Sequence, residues 1–448
     1  MSAKKKKKGL YASEYNTKFI SKNRYFFTKE AERLGKESSY KRRCSKLTPS
    51  AFIKALLSTS LCPYFNLEVF GSFLNKQKVS ITKQGIHERF NKQTETFVKV
   101  LSTSFLNYFK TEKLPKLGQL EIFTSLNIID SSSISLHSSL SQLFKGSGGA
   151  ASGAALKIQL MFDYLIGQIK ELTVTSGCDN DQGFDDYFHS IEAGALYLMD
   201  LGYFKLNSFK KIREGHAFFV SRLLIGTKLF TLEKHPLDLL ATLSTAESSF
   251  SQQVLMGAKA QIPVRLITQK LPKEIADRRR QRLKEDHRRR GTKLSKEALA
   301  LQDWSLYITN TCETQISKEQ IHQIYTLRWQ IELLFKLSKS LMHIDSMRTT
   351  KSSRFIIEIY GKFMAMMLLF LLCEPVRNQC LNQFSFYKAC KLLSIHSAGL
   401  IASFASKYRL KQFITFFYGE LVLFAKKDIK KKHNVSIKTP LLKSNFNA

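Results

Sequence analysis

The segment Tyr325-Thr-Leu-Arg328-Trp-Gln-Ile-Glu332-Leu-Leu-Phe-Lys-Leu-Ser-Lys339 carries a tyrosine and three charged residues at successive spacings of 3, 4 and 7. In an α-helix these four positions fall within an arc of roughly 60°, and Lys336 falls beside them. Most of the remaining circumference is apolar, and it comprises Trp329, Ile331, Leu333, Leu334, Phe335 and Leu337. A surface helix with a merely solvated charged face, which is the alternative, rarely has so wide an apolar arc. We therefore predict a core helix that presents a carboxylate, cations and a phenol to a functional site.

The composition of the 448-residue chain indicates a globular protein with a polyanionic partner. Its length allows about two to four domains, and its formal net charge of +34 is extreme. The seven cysteines are scattered without a Cys-x2-Cys pair, which argues against a disulfide framework or a structural zinc site and favours a reducing cytoplasm. No secretory signal pattern follows the basic start. The longest apolar run, residues 363–373, is too short to span a membrane and predicts a buried helix.

Charge is unevenly distributed along the chain. Residues 1–116 contain 25 Lys/Arg and 8 Asp/Glu, a net charge of +17, whereas residues 117–206 contain 4 Lys and 10 Asp/Glu, a net charge of −6. A site for divalent cations needs surplus carboxylate, while a surface that binds a polyanion needs the opposite charge. A chance fluctuation is the alternative. We interpret the acidic block as the location of a cation site.

The basic N-terminal region, residues 1–116, is predicted to be an all-α DNA-binding domain. Thr48 and Pro49 have the hydroxyl cap and the first-turn proline of a helix start, and residues 97–109 are amphipathic. A helix-turn-helix arrangement fits this pattern. The lysine run at residues 4–8 precedes the helices, and a linker at residues 114–118 ends the domain.

After the linker the pattern changes to short strands. We predict strands over residues 123–130, 156–163, 169–175, 195–200 and 216–222, and helices over residues 181–193 and 207–213. Two of the strands end on an aspartate, Asp130 and Asp200. A single aspartate at a strand end is usually a turn residue, but two on neighbouring strands of an acidic block are able to bind a cation together.

Residues 223–314 are predicted to be a β-rich insertion with a basic arm. Strands are expected over residues 223–232, 262–268 and 301–310. Between them lie Arg278-Arg-Arg-Gln-Arg and His287-Arg-Arg-Arg-Gly. At this density of arginine, contact with phosphate is favoured over a solvated helix, and Arg279 and Arg289 are the candidates for DNA contact.

The pattern Tyr325-x2-Arg328-x3-Glu332-x6-Lys339 resembles the Y-x2-R-x3-E-x6-K signature of a large family of bacterial insertion-sequence transposases of the DDE type. The resemblance implies an α/β ribonuclease-H-like catalytic core, related to retroviral integrase, in two parts at residues 117–222 and 315–380. The β-rich insertion interrupts this core. The all-α basic N-terminal domain precedes it, and an α-helical C-terminal region with a Lys-rich tail follows at residues 381–448.

The resemblance also assigns roles to residues. Asp130, Asp200 and Glu332 match the metal-binding catalytic triad. Tyr325, Arg328 and Lys339 match the residues that hold phosphates of the transposon end, with Lys336 beside them. Trp304 matches the position of an aromatic residue that stacks on a flipped base in members that form a DNA hairpin.

The implied cofactor is a pair of Mg²⁺ ions, for which Mn²⁺ can substitute. The implied partners are double-stranded DNA, both the terminal inverted repeats and the target, and a second copy of the chain in a homodimeric synaptic complex, with no membrane partner. The implied location is the bacterial cytoplasm, in association with the nucleoid. The expected function is cut-and-paste transposition, and the alternatives are a catalytically silent DNA-binding regulator and a general nuclease. The three acids favour an enzyme, because DNA binding alone requires no such triad.

Overall fold

The structure is a computed structural model that describes residues 14–40, 46–62, 65–109, 118–148, 153–246, 248–347, 349–379 and 384–427. The N-terminal lysine run, most of the predicted linker and most of the Lys-rich tail lie outside these residues. The described chain consists of a mixed nine-stranded sheet and helices that precede, interrupt and follow it.

The described N-terminal region is helical, as predicted. Its elements are α1 (Glu14–Tyr25), a π-helical turn (Phe26–Glu30), α2 (Ala31–Glu37), α3 (Pro49–Ser60), α4 (Leu67–Asn75), α5 (Lys83–Arg89) and α6 (Lys92–Tyr108). Side chains cap the last four of these helices by accepting a hydrogen bond from the backbone N–H three residues further on. The capping residues are Thr48, Asn66, Thr82 and Asn91.

The sheet places three parallel strand ends at one edge. Its strands are β1 (Leu126–Ser135), β2 (Ala155–Asp163), β3 (Gln168–Ser176), β4 (Leu196–Met199), β5 (Phe218–Arg222), β6 (Leu229–Phe230), β7 (Ser249–Met256), β8 (Ile262–Lys270) and β9 (Trp304–Thr309), in the order β3-β2-β1-β4-β5-β9-β8-β7-β6. Strands β1, β4 and β5 are mutually parallel, and β9 is antiparallel to β5. The carboxyl ends of the three parallel strands and the start of β9 therefore meet at the same edge.

The predicted insertion continues this sheet. Strand β8 pairs with β9, β7 with β8 and β6 with β7. Its helices are α8 (Leu239–Ser244), α9 (Lys273–Arg290) and α10 (Lys296–Ala300), while α7 (Leu206–Glu214) precedes β5. The arginine-rich segment, expected to be a basic arm, forms helix α9.

The C-terminal part is helical and includes the main core helix. Its elements are α11 (Ile321–Thr326), α12 (Trp329–Met342), α13 (Ser352–Gln379), α14 (Phe386–Ile395), α15 (Ser397–Ser403) and α16 (Lys407–Phe424). The segment Ser352–Arg377 of α13 is long and apolar enough to cross a membrane by length and composition, but its apolar window is entirely buried within the protein. This confirms the predicted buried helix. Helix α13 packs on α3 and α6, and a Cβ atom at Gly361 would lie 2.7 Å from Cγ of Leu56, so glycine permits the close approach.

Four local predictions were wrong. Of the strand expected over residues 223–232, only β6 (Leu229–Phe230) forms. The signature segment is two helices, because Leu327 and Arg328 form a turn with i→i−3 hydrogen bonds between α11 and α12. Residues 181–193 contain only the 3₁₀ turns Asp181–Gly183 and Asp186–Phe188. There the Asn180 side chain accepts a hydrogen bond from the backbone N–H of Gln182, a local bond that competes with helix formation. Strand β1 also continues past Asp130, because β2 pairs with it as far as Ser135.

Candidate active site

Asp130 and Asp200 are neighbours at the edge of the sheet. The last parallel pair between β1 and β4 is Ile129 with Met199, so the two aspartates are the next residues on both strands. Ile129 and Met199 belong to the core on one face of the sheet. Because side chains alternate along a strand, Asp130 and Asp200 are directed to the opposite face, which α12 covers.

Glu332 lies in the first turn of α12, on the face of the sheet that the aspartates share. Ile331, Leu334 and Phe335 anchor this helix in the core. Its far end is held by Lys362 of α13, whose Nζ donates to the carbonyl oxygens of Met342 and His343. A cation at a helix C-terminus also interacts favourably with the helix dipole.

Arg328 lies between the three carboxylates. Its Nη2 is 2.7 Å from Oε1 of Glu332, its Nη1 is 3.7 Å from Oδ2 of Asp130, and its Nε is 3.9 Å from Oδ1 of Asp200. Its side chain is 9% exposed. The Tyr325 hydroxyl donates to Oδ1 of Asp200 at 3.4 Å, and the Arg328 guanidinium lies 5.9 Å from the centre of the Tyr325 ring. The turn between α11 and α12 thus directs the guanidinium towards all three acids.

Burial raises the pKa of Asp130 from 3.8 to about 6, although the Ser131 N–H and the Arg328 guanidinium oppose the shift. The neutral carboxyl is favoured in the folded protein. Asp130 therefore contributes stability that is fully present below about pH 4 and is lost as the pH rises through about 6.

We predict that Asp130→Asn stabilises the metal-free protein near pH 7.5 by about 3 kcal/mol, because the amide carries no charge to desolvate. Near pH 4 the variant and the wild type should be equally stable. Chemical denaturation at both pH values measures the difference. Equal stability at the higher pH would contradict the raised pKa.

A polar cleft of about 500 Å³ opens beside the acids. Asp130 and Glu332 line it, together with Lys336 and Lys339. Arg328 joins Asp200 to these residues through its contacts with all three acids, and the Tyr325 hydroxyl contacts Asp200. Seven of the predicted residues therefore come together. A second cavity of about 410 Å³ shares Lys336 with the cleft, but its lining is mostly apolar and includes none of the three acids.

The other predicted residues, Trp304, Arg279 and Arg289, do not belong to this group around the acids. Trp304 is buried, and its side chain belongs to the core on the face opposite Asp130. The guanidinium of Arg279 donates to the Trp304 carbonyl oxygen at 3.4 Å. Arg289 is 74% exposed, is paired with Asp286 at 2.8 Å and lies about 15 Å further along α9. Trp329, assigned to the apolar body of the signature helix, is 56% exposed.

Sequence reasoning missed Asp181, which lies against residues close to both aspartates. Its Oδ1 accepts hydrogen bonds from the Ser131 hydroxyl at 2.9 Å and from the side chains of Lys157 and Gln159, both at 3.1 Å. A Cβ atom at Gly202, two residues after Asp200, would lie 3.6 Å from its Oδ2. The position of Asp181 in the acidic block could have marked it as a candidate residue. Its hydrogen-bond partners are remote in sequence, so no local pattern connects them with it.

The donor chemistry of the three acids suits a hard divalent cation, which prefers carboxylate oxygens. The guanidinium of Arg328 already places a positive charge between these carboxylates. In the described part of the chain, no group of three or more His, Cys, Asp or Glu side chains is close enough to hold a metal ion in this arrangement. A metal at this position would have to replace the guanidinium.

Comparison with known proteins identifies the class of the enzyme. A family model described as the transposase DDE domain matches residues 121–368, more than half of the chain. The chain therefore belongs to the DDE transposase family.

Its relatives are transposases of insertion sequences. The transposase for insertion sequence element IS1151 of Clostridium perfringens is 28% identical over 383 residues, which cover 78% of this chain and 80% of the relative. The transposase for IS231F of Bacillus thuringiensis subsp. israelensis is 27% identical over 360 residues, 75% of this chain and 76% of the relative. The putative transposase InsL for IS186A of Escherichia coli K12 is 36% identical over 118 residues, 26% of this chain and 32% of the relative. The protein is an insertion-sequence DNA transposase, an enzyme that acts on DNA.

Proposed function

We propose that the protein cuts an insertion sequence out of DNA at its terminal inverted repeats and joins the freed ends to a target by direct strand transfer. The observation that carries this proposal is the convergence of Asp130, Asp200 and Glu332 on one guanidinium, at the edge of the sheet and beside a cleft with two lysines. We assign strands β1 to β5 and the helices of residues 117–222 and 315–380 to a ribonuclease-H-like core.

In this proposal the three carboxylates hold two Mg²⁺ ions, for which Mn²⁺ can substitute. When bound, these ions supply Lewis-acid chemistry that activates the attacking oxygen and stabilises the leaving oxygen of the phosphodiester. The attacking group is water in the cleavage step and a DNA 3′-hydroxyl in strand transfer. The leaving oxygen departs on the opposite side of the phosphorus.

The chain's own residues bind and orient the DNA. Lys336 and Lys339 line the same cleft as Asp130 and Glu332, so their ammonium groups neutralise phosphates next to the scissile bond. Arg328 and Tyr325 exchange their contacts with the acids for contacts with phosphate when the substrate binds. A guanidinium suits this role because its donors match phosphate oxygens in pairs.

We further propose that residues 1–116 form the DNA-binding domain and that Arg279 and Arg289 of the arm in residues 223–314 contact the DNA backbone. Residues 117–222 and 315–380 would supply the catalytic core, and residues 381–448 its C-terminal support. Two copies would act together on paired ends, in the bacterial cytoplasm on nucleoid DNA. The side chain of Trp304 lies on the far face of the sheet. A role for Trp304 in base stacking therefore requires the DNA to reach that face.

A cleavage assay tests the proposal. A duplex that spans the junction between the element and its flanking DNA is expected to be nicked at the junction in the presence of Mg²⁺, and an unrelated duplex should compete poorly. Equal cleavage of both duplexes would indicate a general nuclease. Binding to the junction duplex without cleavage at any Mg²⁺ or Mn²⁺ concentration would indicate a silent regulator.

A further inference from the structure

A group of cationic and aromatic side chains lies on the Asp200 side of the site, outside the signature. Arg222 ends β5 and is the cross-strand partner of Tyr307 in β9. The Tyr307 hydroxyl is 2.6 Å from Nδ1 of His322 in α11. Arg279 of α9 reaches the same strand, where it donates to the Trp304 carbonyl oxygen. We call Arg222, Arg279, Tyr307 and His322 the β5–β9 cluster.

The two arginines of the cluster form an uncompensated pair of like charges. Both are half-buried, and burial together with the positive charge of Arg222 lowers the pKa of Arg279. Neither arginine lies within ion-pair distance of a carboxylate in the described part of the chain. The adjacent Arg280, in contrast, pairs with Asp277 at 2.6 Å and also with Asp303. Half-buried like charges are costly unless an anion joins them.

The cluster is close to the catalytic acids. Cross-strand partners point to the same face, so Arg222 and Tyr307 lie on the face that carries Asp130 and Asp200. The ring centres of Tyr307 and Tyr325 are 5.4 Å apart, and the Tyr325 hydroxyl contacts Asp200. Lys336 and Lys339 belong instead to the cleft beside Asp130 and Glu332. Positive charge therefore flanks the acids on two sides.

The geometry points to a second phosphate-binding site, an inference that rests on the proposed function, in which Arg222, Arg279 and His322 hold a backbone phosphate of the element's end DNA on the Asp200 side of the acids. Each guanidinium offers paired N–H donors that match phosphate oxygens. Tyr307 orients His322: when its hydroxyl donates to Nδ1, the ring proton resides on Nε2, and His322 becomes a donor. One strand of the DNA would thus be held by Lys336 and Lys339 on one side of the acids and by the β5–β9 cluster on the other.

DNA binding by arginine variants tests the proposal. The full chain with Arg222→Gln, Arg279→Gln or both is compared with wild type on a duplex that spans the element's end, in buffer without divalent metal. Because both arginines hold the same phosphate, its loss in the double variant should reduce the slope of log affinity against log salt by about 1 in total. The double variant should also bind about tenfold or more weakly at low salt. Arg278→Gln, an exposed neighbour on α9, removes the same charge and is the matched control.

Thermal unfolding distinguishes a binding role from a structural one. Removal of one arginine relieves the repulsion within the pair, so the variants should unfold at the same temperature as wild type without DNA, or at a higher one. Inorganic phosphate should raise the unfolding temperature of wild type more than that of the double variant. The proposal is overturned if the double variant keeps the wild-type affinity and salt slope, or if its losses equal those of Arg278→Gln.

Discussion

Replacement of Asp130 or Asp200 by asparagine, or of Glu332 by glutamine, is expected to reduce Mg²⁺-dependent cleavage of the element's end by about 10³-fold or more. Each change removes a carboxylate from a set of three that converge on the same guanidinium. Charge stabilisation by catalytic metal ions amounts to several kcal/mol of transition-state energy, and about 1.4 kcal/mol corresponds to a tenfold change in rate. Because the acids act as a unit, a double variant should be little worse than either single variant.

The matched control for these variants is Asp345→Asn. Asp345 lines the same cleft, but within the described part of the chain it forms no ion pair with Arg328, unlike the three acids. Single-turnover cleavage measured with saturating DNA separates chemistry from binding. The variants should retain DNA binding, since they remove negative charge from a surface that faces phosphate. Full cleavage by any of the three triad variants would refute its assignment as a metal ligand.

Replacement of Arg328 by alanine is expected to destabilise the metal-free protein and to make its stability depend on Mg²⁺. Without the guanidinium, the three carboxylates face one another with no counter-charge between them. Loss of one partner from a buried ion pair costs about 3 to 5 kcal/mol, and the partial exposure of the acids lowers our expectation to roughly 2 kcal/mol.

Addition of Mg²⁺ should restore stability to Arg328→Ala more than it stabilises wild type, because the metal takes a space that the guanidinium no longer fills. Thermal unfolding with and without Mg²⁺ measures this, and Arg328→Lys, which keeps the charge, should behave more like wild type in Mg²⁺-free buffer. Cleavage by Arg328→Ala should fall even when Mg²⁺ restores its stability, because the guanidinium also binds phosphate in our proposal. An equal response of both proteins to Mg²⁺ would show that Arg328 does not occupy the metal position.

The sequence predicted the candidate acids because local patterns were sufficient for each of them. Asp200 follows a short apolar strand, Asp130 lies in another, and Glu332 lies on an amphipathic helix at a distinctive spacing from its cationic neighbours. Strands β2 to β5 and helix α7 were predicted to within a few residues for the same reason. The errors included residues 181–193, where side chains compete with the helix, and Leu327 and Arg328, where two helices meet.

The sequence by itself determined the identity and order of the acids, the acidic block and the cationic signature, because these depend on residue type and spacing. Only the tertiary structure decided which of them meet. The parallel register of β1 and β4 brings Asp130 beside Asp200, and the turn before α12 places Arg328 among all three carboxylates. It also decided that Trp304 faces away from the acids and that Arg222, Arg279 and His322 gather beside Asp200. Such contacts join residues tens to hundreds of positions apart, and strand register and helix packing, which no local pattern specifies, bring them together.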